Sequence, residues 1–315
     1  MGNSEEMRDA FFNEIVGVGI PDDRVVILSA DHGAEALSKF EQAAPTRYFN
    51  TGIAEQNMIS VAAGLAAFGK RPLVYGISPF VSLRVLEQIT LDLAAMNLPV
   101  TIVSVGAGFT YSTDGATHHG LQDVGAMMTV PNLTILNSSD PENTRVFASQ
   151  TLSSDSTRYV RIEKGLLGNL TRKNPSWAMD GFSVLSNGQS TTAILSTGSI
   201  THSMLEAYQS LAGRLTTDSL LIDVHMLKPF PFEKLSPLLS DVEKIIFVDE
   251  GYASGAANQV LRLAQMLPKR PEVVEILVEE KFYFMGSSRQ EMRGLVGLQP
   301  NQIAETMRRH LIGLS

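Results

Sequence analysis

The feature that most restricts the fold of this chain is a rhythm. Short apolar runs rich in Val, Ile and Leu recur along it, each followed by a longer segment with helix-like spacing. In the first half the runs are "RVVILSAD", "RPLVYGI", "LPVTIVSV", "NLTILNSSD" and "RYVRI". That alternation predicts a mainly parallel sheet covered by helices. The expected class is α/β, with two three-layer units. Between residues 171 and 188 the rhythm lapses into a stretch of Gly, Asn, Pro and Ser, which reads as an inter-domain linker. A first domain is therefore expected at 1–170 and a second at 189–315. In the second domain "TTAILSTGS", "SLLIDVHML", "KIIFVDEG" and "EVVEILVEE" are the expected strands, and "NQIAETMRRHLIG" a closing helix.

Composition narrows the classes of function. The 315 residues, 44% hydrophobic and 18% charged, suffice for one large or two ordinary globular domains. A net charge of −8 argues against a general nucleic-acid binder, which needs a basic face to replace phosphate counterions. No uncharged apolar run reaches the roughly 18 residues that a membrane helix requires, and no signal segment is evident, so a cytoplasmic protein without membrane contact is expected. The absence of cysteine excludes disulfides, thiolate metal sites and a cysteine nucleophile.

In "YFNTGIAEQNMISVAAGLAAFGKRP" the turn residues Asn50-Thr51-Gly52 precede a helix expected over residues 54–70, and Glu55 falls in its first turn. An acid there complements the helix dipole, which gains a few tenths to about 1 kcal/mol. The helix is nevertheless apolar nearly all round, which points to burial, and a buried carboxyl is costly unless something binds it. Phe80, in "GISPF", stands at a strand end as either a core or a ligand-facing aromatic. "TDGATHHG" is a Gly-rich loop after a buried strand, where open α/β sheets place ligand-binding groups. Its adjacent His118 and His119 rarely ligate one ion at that spacing, and no metal site is expected. Arg161 and Lys164, in "RYVRIEKG", are either a strand-end charge pair or an anion clamp.

Taken together, "RYFNTGIAEQNMISVAAGLAAFGKRPLVYGISPF", "DGATHHGLQDVGAMMTVPNLTILNSSDPENTR", "VRIEKG", "IDVHMLKPF" and "FVDEGYASGAANQVL" closely resemble the pyrimidine-binding and C-terminal domains of transketolases and 1-deoxy-xylulose-5-phosphate synthases. The resemblance covers nearly the whole chain. It implies that Glu55 hydrogen-bonds the aminopyrimidine ring of thiamine diphosphate and exchanges a proton with it. Phe80 would stack on that ring and Arg84 approach the same site. Asp114 and His118, with His119 beside them, would meet the substrate, and Arg161, assisted by Lys164, would grip a sugar phosphate. The implied activity is transfer of a two-carbon ketol unit from a ketose or ketose phosphate donor to an aldehyde acceptor.

The departures qualify that expectation. Against a family pattern such as "THAGIxxGEDGATHQ", this chain reads "SVGAGFTYSTDGATHH", so that Gly106 replaces a histidine, Thr113 an acid and His119 a glutamine. The cofactor half of the site matches while the substrate half is altered, which leaves open a decarboxylating acyl transfer of the 1-deoxyketose synthase kind. No "GDG…N" motif, which in the family holds magnesium and the cofactor diphosphate, occurs here. The resemblance therefore implies a separate N-terminal-half subunit that brings the diphosphate and Mg²⁺ site, in an α₂β₂ assembly. Two rivals remain. The beta subunit of a 2-oxo acid dehydrogenase would show a "GHGxxHSQ"-like loop, which is missing, and a non-catalytic scaffold would have no reason to keep Glu55, Phe80, Asp114 and His118 together.

Overall fold

The apolar runs of the first half become the strands Val25–Ser29, Arg71–Ile77, Thr101–Val105, Thr134–Asn137 and Arg158–Ile162. The structure is a computed structural model and describes residues 4–31, 33–212 and 218–311. With two shorter members these strands form a seven-stranded sheet. Its spatial order is Met226–Lys228, Thr134–Asn137, Arg158–Ile162, Thr101–Val105, Arg71–Ile77, Val25–Ser29, Tyr48–Asn50. All neighbours are parallel except Met226–Lys228, which comes from the second half of the chain and pairs antiparallel with Thr134–Asn137. The second sheet has five strands, in the order Glu272–Ile276, Lys244–Val248, Thr192–Ser196, Leu220–Val224, Phe182–Asn187. It is parallel apart from the antiparallel edge strand Phe182–Asn187. That edge strand and a helical turn at Trp177–Asp180 occupy much of the segment expected as linker, so the second unit's regular structure starts before residue 189. The closing helix runs over Pro300–Leu311, and the last two residues expected in it lie outside the described residues.

Side chains alternate across the first sheet with the period of two that strands impose. Val26, Leu28, Val74, Ile102, Ile135 and Tyr159 face one apolar cluster, which includes the helix Glu55–Ala67 and continues into the second sheet through Leu195, Ile222 and Phe247. Val25, Ile27, Leu73, Tyr75, Val103 and Val160 face the other, built with the helix Met7–Gly19. A third cluster covers the far face of the second sheet with the helices Ile200–Ser210 and Pro300–Leu311. The helix that carries Glu55 stops three residues short of the expected Lys70. Gly69 adopts φ +84°, and the Lys70 N–H returns to the Leu65 carbonyl at 3.0 Å, a Schellman-type stop that glycine makes inexpensive. The helix is also not wholly enclosed: Val61 is 41% exposed, and Phe68, just past its end, 91%.

Two buried charge clusters tie the sheets together. In the first, Arg161 Nε donates to Asp123 Oδ2 at 2.8 Å and its Nη2 donates to the Gly120 carbonyl. Tyr159 and Ser78 hydroxyls converge on the same Asp123 oxygen at 2.8 and 3.0 Å. Arg161 is 3% exposed and Asp123 1%. Burial works against the guanidinium charge, but Asp123 and Asp249 more than offset it and hold the Arg161 pKa above its ordinary value. Arg161, expected as a phosphate clamp, is thus buried and already engaged by Asp123 and the Gly120 carbonyl. In the second cluster Arg289 bridges Glu163 of the first unit and Glu250 of the second, and Arg293 adds to Glu250 at 2.7 Å. Burial pushes the Glu250 carboxyl up, but Arg289 and Arg293 pull it well below the usual carboxylate range.

Asp249 sits between these clusters, and burial raises its pKa to about 7 in spite of Arg161. The native state thus keeps a proton that the unfolded chain loses near the ordinary value of 3.8, and stability falls as pH rises through that window. Asp249→Asn removes the titration. Its stability relative to the parent, from urea unfolding, should rise by about 2–3 kcal/mol between about pH 5 and pH 8. Equal pH dependence in the two proteins would show that Asp249 is not held protonated.

Candidate active site

Glu55 opens its helix at the carboxyl ends of the parallel strands, and the fold buries it to 3% exposure. Its surroundings are not the purely apolar wall expected from the helix composition. Arg84 Nη1 donates to Glu55 Oε1 at 2.8 Å, and the same guanidinium lies over the Phe80 ring with its carbon 4.2 Å from the centroid. Phe80 follows Arg71–Ile77 in a turn closed by its own N–H to the Ile77 carbonyl at 2.9 Å. The His118 ring meets Phe80 edge-on at 5.0 Å. Glu55, Phe80, Arg84 and His118 therefore converge, although 63 positions separate the first from the last.

Asp114 and His118 lie on the loop that follows Thr101–Val105. A 3-10 turn over Ser112–Asp114 exposes Asp114, and the half-buried His118 places Nδ1 2.9 Å from the Thr117 hydroxyl. The loop is closed at its base by Gly108 and Gly120, which exchange N–H···O bonds of 2.9 Å in both directions. Gly106, at φ +106°, admits no side chain: an added Cβ would meet the Tyr111 ring at 2.6 Å. Tyr111 thus occupies the space beside the position where the family pattern carries a histidine, a filling that the spacing alone did not reveal. His119 turns away from its neighbour. It packs edge-on against Phe109 at 5.0 Å and is 7% exposed. Lys164 is exposed, while Arg161 is buried beneath the loop.

The charged and aromatic groups define what the site can accept. The Arg84 guanidinium, a planar N–H-bearing group, stacks on Phe80 and hydrogen-bonds Glu55 at once. An aminopyrimidine needs the same two contacts, an aromatic face and a carboxylate at its edge. The residues present therefore fit thiamine diphosphate at its pyrimidine end. Among the described residues no group of three or more His, Asp or Glu side chains is placed to hold a metal ion, and no helix is long and apolar enough to cross a membrane.

Comparison with known proteins agrees with this geometry. Residues 4–169 match the family described as transketolase, pyrimidine binding domain. The 6-deoxy-6-sulfo-D-fructose transketolase subunit SqwH of Clostridium sp. (strain MSTE9) is 34% identical over 72% of this chain and 70% of its own length. The 1-deoxy-D-xylulose-5-phosphate synthase of Azoarcus sp. (strain BH72) is 29% identical over 93% of this chain. This chain spans only 46% of that enzyme. Among solved structures, a split gene transketolase described as an inactive beta4 tetramer superposes with a TM-score of 0.83 at 24% identity, over 100% of this chain and 99% of its own. The transketolase of Campylobacter jejuni subsp. jejuni gives a TM-score of 0.80 at 15% identity, over 98% of this chain and 47% of its own. The chain belongs to the transketolase family of transferases, whose pyrimidine-binding domain it carries.

Proposed function

We propose that this transketolase-like subunit works with thiamine diphosphate to transfer a two-carbon ketol unit from a ketose or ketose phosphate to an aldehyde acceptor. The observation that carries the reading is the convergence of buried Glu55 with Phe80 and His118 at the mouth of the parallel sheet. When bound, thiamine diphosphate supplies the carbon nucleophile that such transfers need. The chain's part is to hold and protonate. Glu55 exchanges a proton with the nitrogen edge of the ring, Phe80 presents a face to it, and burial keeps water from the carboxylate. His118, half-buried, and Asp114, exposed, would meet substrate hydroxyls. Any anionic end group on the substrate falls to Lys164 or to a partner, because Arg161 is sequestered.

A partner subunit completes the proposal and brings the diphosphate and Mg²⁺ site, in an α₂β₂ assembly. Two observations support it. The SqwH relative is itself named as a subunit. Around the helix Glu55–Ala67 several apolar side chains are also exposed, Ile53 (78%) just before it, Val61 (41%) on it, Phe68 (91%) just after it, and Leu91 (55%) on the segment Ile89–Ala94 packed against it. Large apolar side chains grouped on one surface mark association sites. Phe68→Asp should leave the fold within about 0.5 kcal/mol of the parent, since so exposed a side chain contributes little to the core. It should abolish co-elution with the diphosphate-binding subunit in size exclusion, and co-elution at parental yield would exclude this surface as the contact.

Glu55→Gln preserves size but removes the exchangeable acid. In the reconstituted complex, exchange of the cofactor's C2 proton with solvent, followed by NMR, should fall by at least about 10²-fold, and turnover with it. A residue that only complements the helix dipole would leave exchange unchanged and cost about 1 kcal/mol of stability or less. Arg84 gives an independent test. Its guanidinium must leave the Phe80 face before a ring can stack there, so the Arg84–Glu55 pair competes with the cofactor. For this half-exposed pair about 1 kcal/mol is at stake, and Arg84→Ala should tighten cofactor binding by about 5-fold in calorimetry. Weaker binding would mean that Arg84 instead holds the ring, as its proximity in sequence to Phe80 first implied.

A further inference from the structure

His119 has a buried ring that the proposed reaction does not use. Its ring hydrogen-bonds the Ser112 backbone, and burial lowers its pKa and favours the neutral form, whose Nε2 is the ring nitrogen left over. That nitrogen is buried and has no hydrogen-bond partner among the described residues. It points into a notch of about 10 Å³ walled by Leu121, Tyr252 and Tyr283, room for one hydroxyl or one water. The notch adjoins a groove of about 270 Å³ between the two units, with which it shares Gln122, Tyr252 and Phe282. Ser254, Glu280 and Lys281 complete the groove.

We propose that this groove is a second ligand site, for a small neutral polyhydroxylated molecule such as a sugar or polyol. Size fits first, since 270 Å³ stands near the lower end of small-molecule pockets. Charge disfavours an anion, because Lys281 is already paired with Glu279 and leaves Glu280, whose Oε1 accepts from the Ser254 N–H, as the groove's carboxylate. The hydrogen-bonding inventory decides the class. Both tyrosine hydroxyls already donate, Tyr252 to the Lys281 carbonyl at 2.5 Å and Tyr283 to the Glu279 carbonyl at 3.1 Å. What remains is the Gln122 amide, the Ser254 hydroxyl and the His119 lone pair, which is a set suited to several hydroxyls rather than to one charge. Phe282, 65% exposed, supplies the aromatic face on which the C–H side of such a ligand packs. A hydroxyl in the notch would donate to Nε2 and satisfy the one buried acceptor left open there. The site bears on the Ser112–Asp114 turn through the His119–Ser112 bond, so its occupancy is coupled to the loop that carries Asp114 and His118.

The test uses the full chain labelled with nitrogen-15 histidine and titrated with xylitol, a neutral polyol probe. The His119 Nε2 resonance should move in the direction of a newly accepted hydrogen bond and saturate at millimolar concentration, while His118 stays still. The double variant Gln122→Ala, Ser254→Ala should fold as the parent and weaken the response by at least about tenfold, as the loss of two hydrogen bonds implies. Absence of a shift, or a response that rises linearly without saturating, would overturn the proposal and leave the notch to water. A shift shared with His118 would overturn it equally, by placing the polyol in the Glu55 cleft.

Discussion

The ion pair of Arg161 with Asp123 is the interaction on which the site's geometry depends. It joins three pieces of chain that must keep fixed positions. Through Ser78 it holds the start of the turn that presents Phe80, and through the Gly120 carbonyl it holds the base of the loop that presents Asp114 and His118. Through Asn137, whose Oδ1 lies 3.4 Å from Arg161 Nη1 and whose amide donates to Thr197 at 2.9 Å, it reaches the second unit. A buried pair of this kind costs much to desolvate and is weak evidence for net stability. Its value here is positional, since removing either partner would leave an uncompensated charge beneath both loops of the site.

The Glu55 carboxylate presents the opposite case, a buried acid whose partner is half solvent-exposed. Arg84 is held to it by one hydrogen bond and to Phe80 by a cation–π contact, both of them contacts that a flexible arginine can break.

Much of this was legible in the sequence, for identifiable reasons. Continuous apolar runs such as Arg71–Ile77 and Lys244–Val248 became strands because both their faces are covered. Phe182–Asn187 escaped notice because an antiparallel edge strand can carry Ser and Asn, and these residues read as linker. Tyr48–Asn50 is too short to make a pattern. Glu55, Phe80 and His118 were identified through a family resemblance, and the fold brings them together. The pairing of Arg161 was not legible, because its partner Asp123 is 38 positions away and no local signal announces it, although an acid at the start of the helix Asp123–Met128 was the available hint.

The altered substrate half follows from the same packing logic. Gly106 is not simply a lost histidine, since the Tyr111 ring fills the space a side chain there would take, and restoring the histidine would require Tyr111 to leave. Thr113 is exposed, and its carbonyl lies within van der Waals reach of Gly286 of the second unit, where an added Cβ would be 3.4 Å away. His119 is held inside by its contact with Phe109 and, beyond it, Tyr283 of the second unit. Two of the three departures thus face the junction with the second unit. The loop that carries Asp114 and His118 is thus shaped from behind by Tyr283 and Gly286 of the second unit, so its form is a property of how the two units pack as well as of its own residues.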